Sequence, residues 1–477
     1  MYFQRFYDTP LAQASYLIGC QATGEAVVID ANRDLAQYVD AAESQKLRIT
    51  HVTETHIHAD FVSGSRELAH AAGAQLLLSA EGGSGWQYAF AGSSSATLLR
   101  DGDAFKVGNI RLEVMHTPGH TPEHLCFVVT DGAAATEPMG IVTGDFVFVG
   151  DVGRPDLLER AAKFEGTMEA AARTLYASLD KFRALPDWLQ VWPGHGAGSA
   201  CGKALGAVPA STVGYEKRFN WGLAAMTEGE FVQRVLDGQP EPPLYFAQMK
   251  RINKEGPALL HGFRRPERLP AARLGDLIAS GHLVVDTRPA AAFADAHVPG
   301  TLNIPLNKSF STWAGWLLPY DRDIHLLVDD ESHALDEAVR DLAMIGLDRI
   351  AGVFGHDAVS AWAQSATVEK ISQTGVGELH DTLLPRGVVV LDVRNQSEWD
   401  AGHLPGAHHI QLGTLEKRLD EVPRDGVVVV HCQGGARSAI AASLLAAHGY
   451  RNAINLQGGY QEWASAGYPV IRDGAPR

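Results

Sequence analysis

The stretch "ETHIHADFVSG" (residues 54–64) sets His56, His58 and Asp60 at alternate positions. It continues the apolar run "RITHVTETH" (48–56), which reads as a strand. Side chains able to hold a metal or move a proton are bunched where a strand gives way to a loop, the usual place for function. The set stops at Phe61.

The same arrangement recurs on both sides of this stretch. "EAVVID" (25–30), "AQLLLS" (74–79), "IRLEVMHT" (110–117), "MGIVTGD" (139–145) and "LQVWPGH" (189–195) are apolar runs bounded by turn residues. They predict strands alternating with helices. Three of them lead into further candidate ligands: His120 in "HTPGHT" (116–121), Asp145 in "TGD" (143–145) and His195 in "WPGH" (192–195). Residues 1–240 are therefore expected to form one α/β domain.

Bulk properties narrow the class. The chain has 477 residues, 45% hydrophobic and 20% charged, a length that predicts about three domains. A net charge of −16 argues against nucleic acid as a partner. No apolar run is long enough for a membrane span. "MYFQRFYDTP" (1–10) lacks the basic and apolar regions of a secretory signal. The four cysteines, Cys20, Cys126, Cys201 and Cys432, are scattered without a CxxC pair. That pattern opposes a disulfide scaffold or a zinc–thiolate site and fits a reducing cytoplasm.

Proline and charge gather in "DGQPEPPLYF" and "RRPERLP", so residues 241–267 are expected to link domains. Beyond them the chain repeats itself. "LVVDTRPAAAFADAHVPGTLNIPL" (283–306) parallels "VVLDVRNQSEWDAGHLPGAHHIQL" (389–412). A second pair, 324–350 and 427–453, follows in step. A period of about 105 residues is too long for a solenoid and means two copies of one α/β domain. They are expected at 268–366 and 370–477.

The four segments around His56, His120, Asp145 and His195, in that order, resemble the metallo-β-lactamase superfamily. This implies an αββα sandwich with metal at its loop edge. In that family's dinuclear hydrolases a histidine stands where this chain has Phe61. Phenylalanine has no lone pair, so a second metal site is expected to be impaired. His56, His120 and Asp145 remain as a two-histidine, one-carboxylate set, which suits one non-haem Fe(II) per chain with open positions. This choice of ligands, with "TGDFVFVGDVGRPDLL" (143–158), resembles the persulfide dioxygenase branch. His58, Asp60 and His195 are expected to hydrogen-bond around the ligands. Arg154 could fork a substrate carboxylate or form a structural ion pair.

In "VVVVHCQGGARSAIAASLLAAHGY" (427–450), Cys432 follows a strand and precedes a helix. Gly434 and Gly435 let backbone N–H groups turn inward, and the helix N-terminus adds partial positive charge. Arg437 adds a full one. Such a field favours thiolate and steadies an outer sulfur. The loop Cys432, Gln433, Gly434, Gly435, Ala436, Arg437 resembles the active loop of rhodanese sulfurtransferases. The first copy has "DDESHA" instead, and counting back from Gly346 as from Gly449 puts Asp329 in the place of Cys432. That copy is expected to be inactive and to serve packing, spacing or oligomer contact. Asp392–Arg394 and Asp286–Arg288 are expected to be structural pairs. Cys201, six residues after His195, is either a sulfur relay or a core residue. Cys20 and Cys126 are expected to be buried.

The whole order resembles a persulfide dioxygenase–sulfurtransferase fusion. This implies oxidation of a thiol persulfide by O₂ to sulfite, and transfer of sulfane sulfur through Cys432 to give thiosulfate. Small-molecule persulfide, O₂ and sulfite or thiosulfate are the expected partners, and a homo-oligomer the expected assembly. The rival is a zinc-dependent thioester hydrolase of the glyoxalase type fused to a sulfur carrier. A persulfide-sensing scaffold without catalysis is the non-enzyme alternative.

Overall fold

The computed structural model of the chain describes residues 1–162, 166–203, 205–239, 241–329 and 332–472. The expected limits at 240 and 477 fall outside these residues, as do Asp330 and Glu331 of "DDESHA". The chain divides into two compact units, Met1–Phe263 with Ala343–Gly346, and Arg264–Leu342 with Leu347–Arg477.

The first unit holds two six-stranded sheets. One contains β1 (Tyr2–Asp8), β2 (Gln13–Cys20), β3 (Glu25–Ile29), β4 (Arg48–Thr53), β5 (Gln75–Ser79) and β6 (Thr97–Leu99), in chain order. The other contains β7 (Ala104–Val107), β8 (Ile110–His116), β9 (Leu125–Asp131), β10 (Gly140–Gly144), β11 (Gln190–Pro193) and β12 (Ser211–Thr212), also neighbours in sequence order.

Side chains two apart along a strand share a face, and the cores follow that rule. Val27 and Ile29 of β3 join Tyr16, Ile18, Leu112, Val114, Phe127, Val129 and Val142 between the sheets. Ala26 and Val28, on the opposite face, pack with Tyr38 and Leu68 of the helices Ala36–Ser44 and Ser65–Ala72. Ile141 and Val191 pack outward against Leu175 and Leu179 of the helix Met168–Arg183. This is the αββα sandwich expected from the resemblance.

The strands stop earlier than their apolar runs. β4 ends at Thr53, β8 at His116, β10 at Gly144 and β11 at Pro193. His56, His120, Asp145 and His195 therefore all lie in loops. The stretch expected as a linker contains the helix Phe246–Glu255. Its Asn253 side chain donates to the carbonyls of His58 and Phe61 at 2.8 and 2.7 Å and accepts from Ser63 N–H at 2.9 Å. Part of that stretch thus braces the loop that carries His56, His58 and Asp60.

The second unit holds two parallel sheets. The first contains β13 (Leu283–Asp286), β14 (Leu302–Asn303), β15 (Ile324–Val328) and β16 (Ile350–Gly355), ordered β14-β13-β15-β16. The second contains β17 (Ser372–Thr374), β18 (Val389–Asp392), β19 (His408–His409), β20 (Val428–His431) and β21 (Ala453–Leu456), ordered β17-β21-β20-β18-β19. With β17 set aside the two orders are the same, so the sequence repeat is a repeat of topology.

Register corrects one assignment. Asp286 pairs with Leu327, and its counterpart Asp392 pairs with His431. Thr287 N–H donates to the Leu327 carbonyl as Val393 N–H does to that of His431. Val328, not Asp329, therefore holds the place of Cys432. Counting back from the glycine after the helix misplaced it because the first copy has one more residue between the matched strand position, Leu327 against His431, and that glycine. The first copy still has no thiol there.

Candidate active sites

At the loop edge of the sandwich, Nε2 of His56 and His120 lie 4.0 and 3.5 Å from Asp145 Oδ2. All three residues are buried, and their candidate donor atoms lie within 4.8 Å of one another. Each group is aimed by a neighbour. His56 Nδ1–H donates to Thr55 Oγ1 at 2.9 Å. His120 Nδ1–H donates to the Arg154 carbonyl at 3.0 Å. Asp145 N–H donates to His124 Nε2 at 3.1 Å. Both Nε2 lone pairs are thereby left facing the carboxylate. Burial first, and then neighbouring imidazoles, holds His56 well below the ordinary histidine pKa. Burial also lowers His120. The neutral, metal-binding form is the one this pocket favours.

Neither oxygen of Asp145 has a hydrogen-bond partner, although both are buried. A buried carboxylate left without donors is costly. Two imidazole lone pairs aimed at such a carboxylate need a cation among them, so the set fits a metal ion.

His58 turns away from this set. Its Nε2–H donates to Asp30 Oδ1 at 3.1 Å. Burial alone would lower its pKa; Asp30, with Asp60 and Glu54, lifts it to about 9. Asp30 adopts a left-handed backbone (φ 57°) and also accepts from Thr55 N–H and Oγ1 at 2.6 and 2.9 Å. One carboxylate thus pins the start of the loop and its second histidine. Phe61 is fully buried, with its ring 4.4 Å from that of His58.

Asp60 and His195 form a second grouping, with His195 Nε2 at 3.2 Å from Asp60 Oδ2 and 3.5 Å from Asp145 Oδ1. His195 Nδ1–H donates to the Ala12 carbonyl at 3.0 Å, which leaves Nε2 as an acceptor. Asp60 Oδ2 accordingly has no hydrogen-bond donor despite its closeness. Cys201 completes this grouping, its sulfur within 4.8 Å of the other two donor atoms. Burial first, then Asp60 and Asp145, pushes its thiol well up. A thiol from another loop thus stands beside Asp60 and His195.

Arg154 is fully buried. Its Nε and Nη2 donate to Asp156 at 2.9 and 2.7 Å and its Nη1 to the Ala200 carbonyl at 2.8 Å. The fork expected for a substrate carboxylate is engaged by an internal one.

In the second unit Cys432 follows β20 and is 1% exposed. Gly435 N–H points at its sulfur at 3.1 Å, and Ser438 Oγ lies 3.6 Å away. The turn requires Gly435 at φ 101°, a conformation glycine adopts without steric cost. Tyr460 N–H and Gln461 N–H donate to the Cys432 and Gln433 carbonyls at 2.8 and 2.9 Å. "LQGGYQEW" is thus the floor of the loop. Gln433 Oε1 accepts from Arg394 Nη1 at 3.4 Å. Gly434, Ala436 and Arg437 line a cavity above the sulfur. Arg437 is also clamped by Glu398, with two bonds of 2.6 and 2.7 Å.

Both strand-end pairs are structural. Arg394 donates to Asp392 and to the Gly402 carbonyl at 2.7 Å each; Arg288 donates to Asp286 at 2.7 Å and to the Ala296 carbonyl at 3.0 Å. Cys20 and Cys126 are buried, as expected, and all four cysteines are free.

Sequence reading missed Asp30, His124, Glu398 and Ser438. His124 carried a signal, since "HTPGHTPEH" (116–124) holds a third histidine at the same strand end. Asp30 closes the run "EAVVID" but lies 26 positions from His56, and only the β3–β4 pairing brings it close.

The metallo-beta-lactamase superfamily pattern matches residues 8–195, and the rhodanese-like domain pattern matches residues 376–466. The chain belongs to the metallo-β-lactamase superfamily and carries a C-terminal rhodanese-like domain. Within that class it is similar to the mitochondrial persulfide dioxygenase ETHE1 of Bos taurus, 30% identical over 49% of this chain and 80% of the relative. It is also similar to the hydroxyacylglutathione hydrolase of Rhodospirillum rubrum, 33% identical over 38% of this chain and 60% of the relative. A sulfurtransferase of Allochromatium vinosum is 36% identical over 18% of this chain and 78% of the relative. Among solved structures, a metallo-beta-lactamase from Staphylococcus aureus is 45% identical with a TM-score of 0.69, over 74% of this chain and 99% of that one. No helix among the described residues is long and apolar enough to cross a membrane.

Proposed function

We propose that the chain is a two-site sulfur enzyme, a persulfide dioxygenase joined to a thiosulfate-forming sulfurtransferase, with residues 1–240, 268–366 and 370–477 as its three domains. What carries this reading is the pairing in one chain of a buried His56–His120–Asp145 set, its carboxylate unpartnered, with a thiol cradled by backbone N–H. The product of one site is then the acceptor at the other.

His56, His120 and Asp145 would hold Fe(II), which when bound supplies open positions where a persulfide sulfur and O₂ can meet. The chain's own part is positioning. Thr55, the Arg154 carbonyl and His124 fix the three donors, and burial keeps the imidazoles neutral. The net reaction consumes RSSH, O₂ and water and yields RSH and sulfite.

At the second site the Cys432 thiolate attacks the outer sulfur of RSSH. The S–S bond of the donor breaks, RS⁻ leaves and takes a proton, and Cys432 carries the outer sulfur. Sulfite attacks that sulfur, thiosulfate departs and the thiolate returns. The Gly435 N–H and the helix Ala436–Ala447 steady the negative sulfur throughout. Four free, buried cysteines suit a reducing cytoplasm.

One observation favours a second reading. Cys201 gives Asp60 and His195 a third donor, as a two-zinc thioester hydrolase would need. Metal analysis separates the two: one iron per chain supports the oxygenase, two zincs the hydrolase.

The direct test is O₂ uptake by iron-loaded protein across a panel of thiol persulfides, with sulfite and thiosulfate quantified. His120→Ala and Asp145→Ala should each lose iron and O₂ uptake while sulfur transfer at Cys432 continues. Wild-type iron content in both variants would refute the ligand assignment.

A further inference from the structure

The catalytically silent copy of the second unit does more than pack. Above Cys432 lies a cavity of about 620 Å³, and its far wall comes from the first copy. Pro305, Leu306 and Trp313 face Cys432, Arg437 and Ile440 across it. The volume falls within the ~300–1,000 Å³ typical of sites that bury small organic molecules. It far exceeds what sulfite or thiosulfate would fill.

The chemistry of the wall points the same way. The first copy contributes mostly apolar side chains. Arg437 is the one cation among the described lining residues, and both its bonds to Glu398 are short. A cavity built for a compact dianion would present free cationic or N–H donors over most of its surface. Here the cation and the inward N–H gather at one end, at the sulfur, and the first copy's side is apolar apart from Asn307 and Ser309.

The wall is also held in place. Asn303 N–H, two residues before Pro305, donates to Ser443 Oγ at 3.1 Å, and Ser443 Oγ lies 3.3 Å from the Asn303 carbonyl. Ser443 sits on the helix that begins beside Cys432. Trp313 lies on the helix Phe310–Leu317. Trp316, one turn on, packs so closely over Gly413 of the second copy that a Cβ there would overlap its ring. Both elements carrying the wall are thus anchored to the copy that holds the thiol.

We propose that the first copy is the binding platform for the organic body of the sulfur donor. The carrier part of a thiol persulfide lies on Pro305, Leu306 and Trp313, with its outer sulfur at Cys432 Sγ. This rests on the reading of Cys432 as the sulfur carrier. The donor for this site is then an organic persulfide, and Trp313 sets its preference over thiosulfate. On attack by the Cys432 thiolate the donor's S–S bond breaks, and the carrier leaves as a thiolate that takes up a proton.

The test compares two donors, glutathione persulfide and thiosulfate, with cyanide as common acceptor, in the full-length chain. In Trp313→Ala the ratio of kcat/KM for the persulfide to that for thiosulfate should fall about tenfold, as expected for truncating a buried aromatic contact. The fall should appear in KM. Trp313→Phe should restore most of the ratio, which a general loss of packing would not allow. An unchanged ratio in Trp313→Ala, or equal losses for both donors, would overturn the proposal. Failure of the underlying reading looks different: Cys432→Ser would then still transfer sulfur from both donors.

Discussion

The loops after β15 and β20 leave the same frame and part company within one residue. Both frames carry the aspartate–arginine bracket, with Asp286 and Asp392 bonded to Arg288 and Arg394 in nearly the same geometry. Both place a backbone N–H on the carbonyl of the last matched strand residue. After that, one presents Val328 and the other Cys432 with Gly435 N–H on its sulfur. The bracket belongs to the fold, and the chemistry belongs to the few residues beyond it. The four strands that the two sheets share are ordered alike whether Val328 or Cys432 comes after the matched strand position.

The strongest way to break this contrast is to remove the thiol. Cys432→Ser should lower sulfur transfer by on the order of 10³-fold or more, because the nucleophile and its helpers act as a unit. O₂ consumption should continue, with sulfite accumulating in place of thiosulfate. Mass spectrometry of persulfide-treated protein should lose an adduct of about 32 Da, the carried sulfur atom. Thiosulfate at the wild-type rate would show that the two loops do not differ in the way described.

The bracket gives a smaller effect. Arg288→Met and Arg394→Met each take the guanidinium from a buried carboxylate, which costs about 3–5 kcal/mol. Thermal unfolding should show a loss in both variants, the smaller one in Arg394→Met, where His431 Nε2 stays 3.4 Å from Asp392. Only Arg394→Met should also slow transfer, since Arg394 reaches Gln433 in the active loop.

Acid offers a finer probe. Burial pushes the Glu398 carboxyl up, but the bonds and charge of Arg437 outweigh it and hold the pKa below the ordinary value. The clamp's contribution is therefore complete above the ordinary carboxylate pKa and is lost as pH falls through the lowered one. Amide exchange across residues 433–437 should quicken in that range. Val328 should be unaffected, because Ala292 stands where the other copy has Glu398.

The smallest expected effect comes from restoring a thiol to the silent copy. Val328→Cys should give no sulfurtransferase activity, and Asp329→Ala should leave the ratio of sulfite to thiosulfate unchanged. Neither substitution supplies the glycine turn or the inward N–H. Thiosulfate formation by Val328→Cys in a Cys432→Ser background would be the contrary result.

What was legible in the sequence divides along the same line. His56, Asp145 and Cys432 were legible because each closes an apolar run, and His120 because it lies in the turn just after one; strand ends are written locally. Asp30 was not, because its role depends on β3 lying beside β4. Asp329 was misassigned because counting from a helix-ending glycine assumes equal loops, whereas strand pairing measures position directly. Cys201 was noticed for its closeness to His195, but only the fold reveals that its sulfur also comes beside Asp60. The wall formed by Pro305 and Trp313 had no local signature, since an apolar side chain facing a cavity reads like one facing a core.

Gly413 makes the active copy hard to transplant. Its missing side chain is the socket for Trp316, and Ile371 N–H is held by the Ala294 carbonyl at 2.9 Å. A fragment cut near residue 370 would bare that socket and leave the Ser443 hydroxyl without Asn303. The repeat looks in sequence like two interchangeable cassettes. In three dimensions it is one indivisible part, and an engineer borrowing the sulfurtransferase must take both halves.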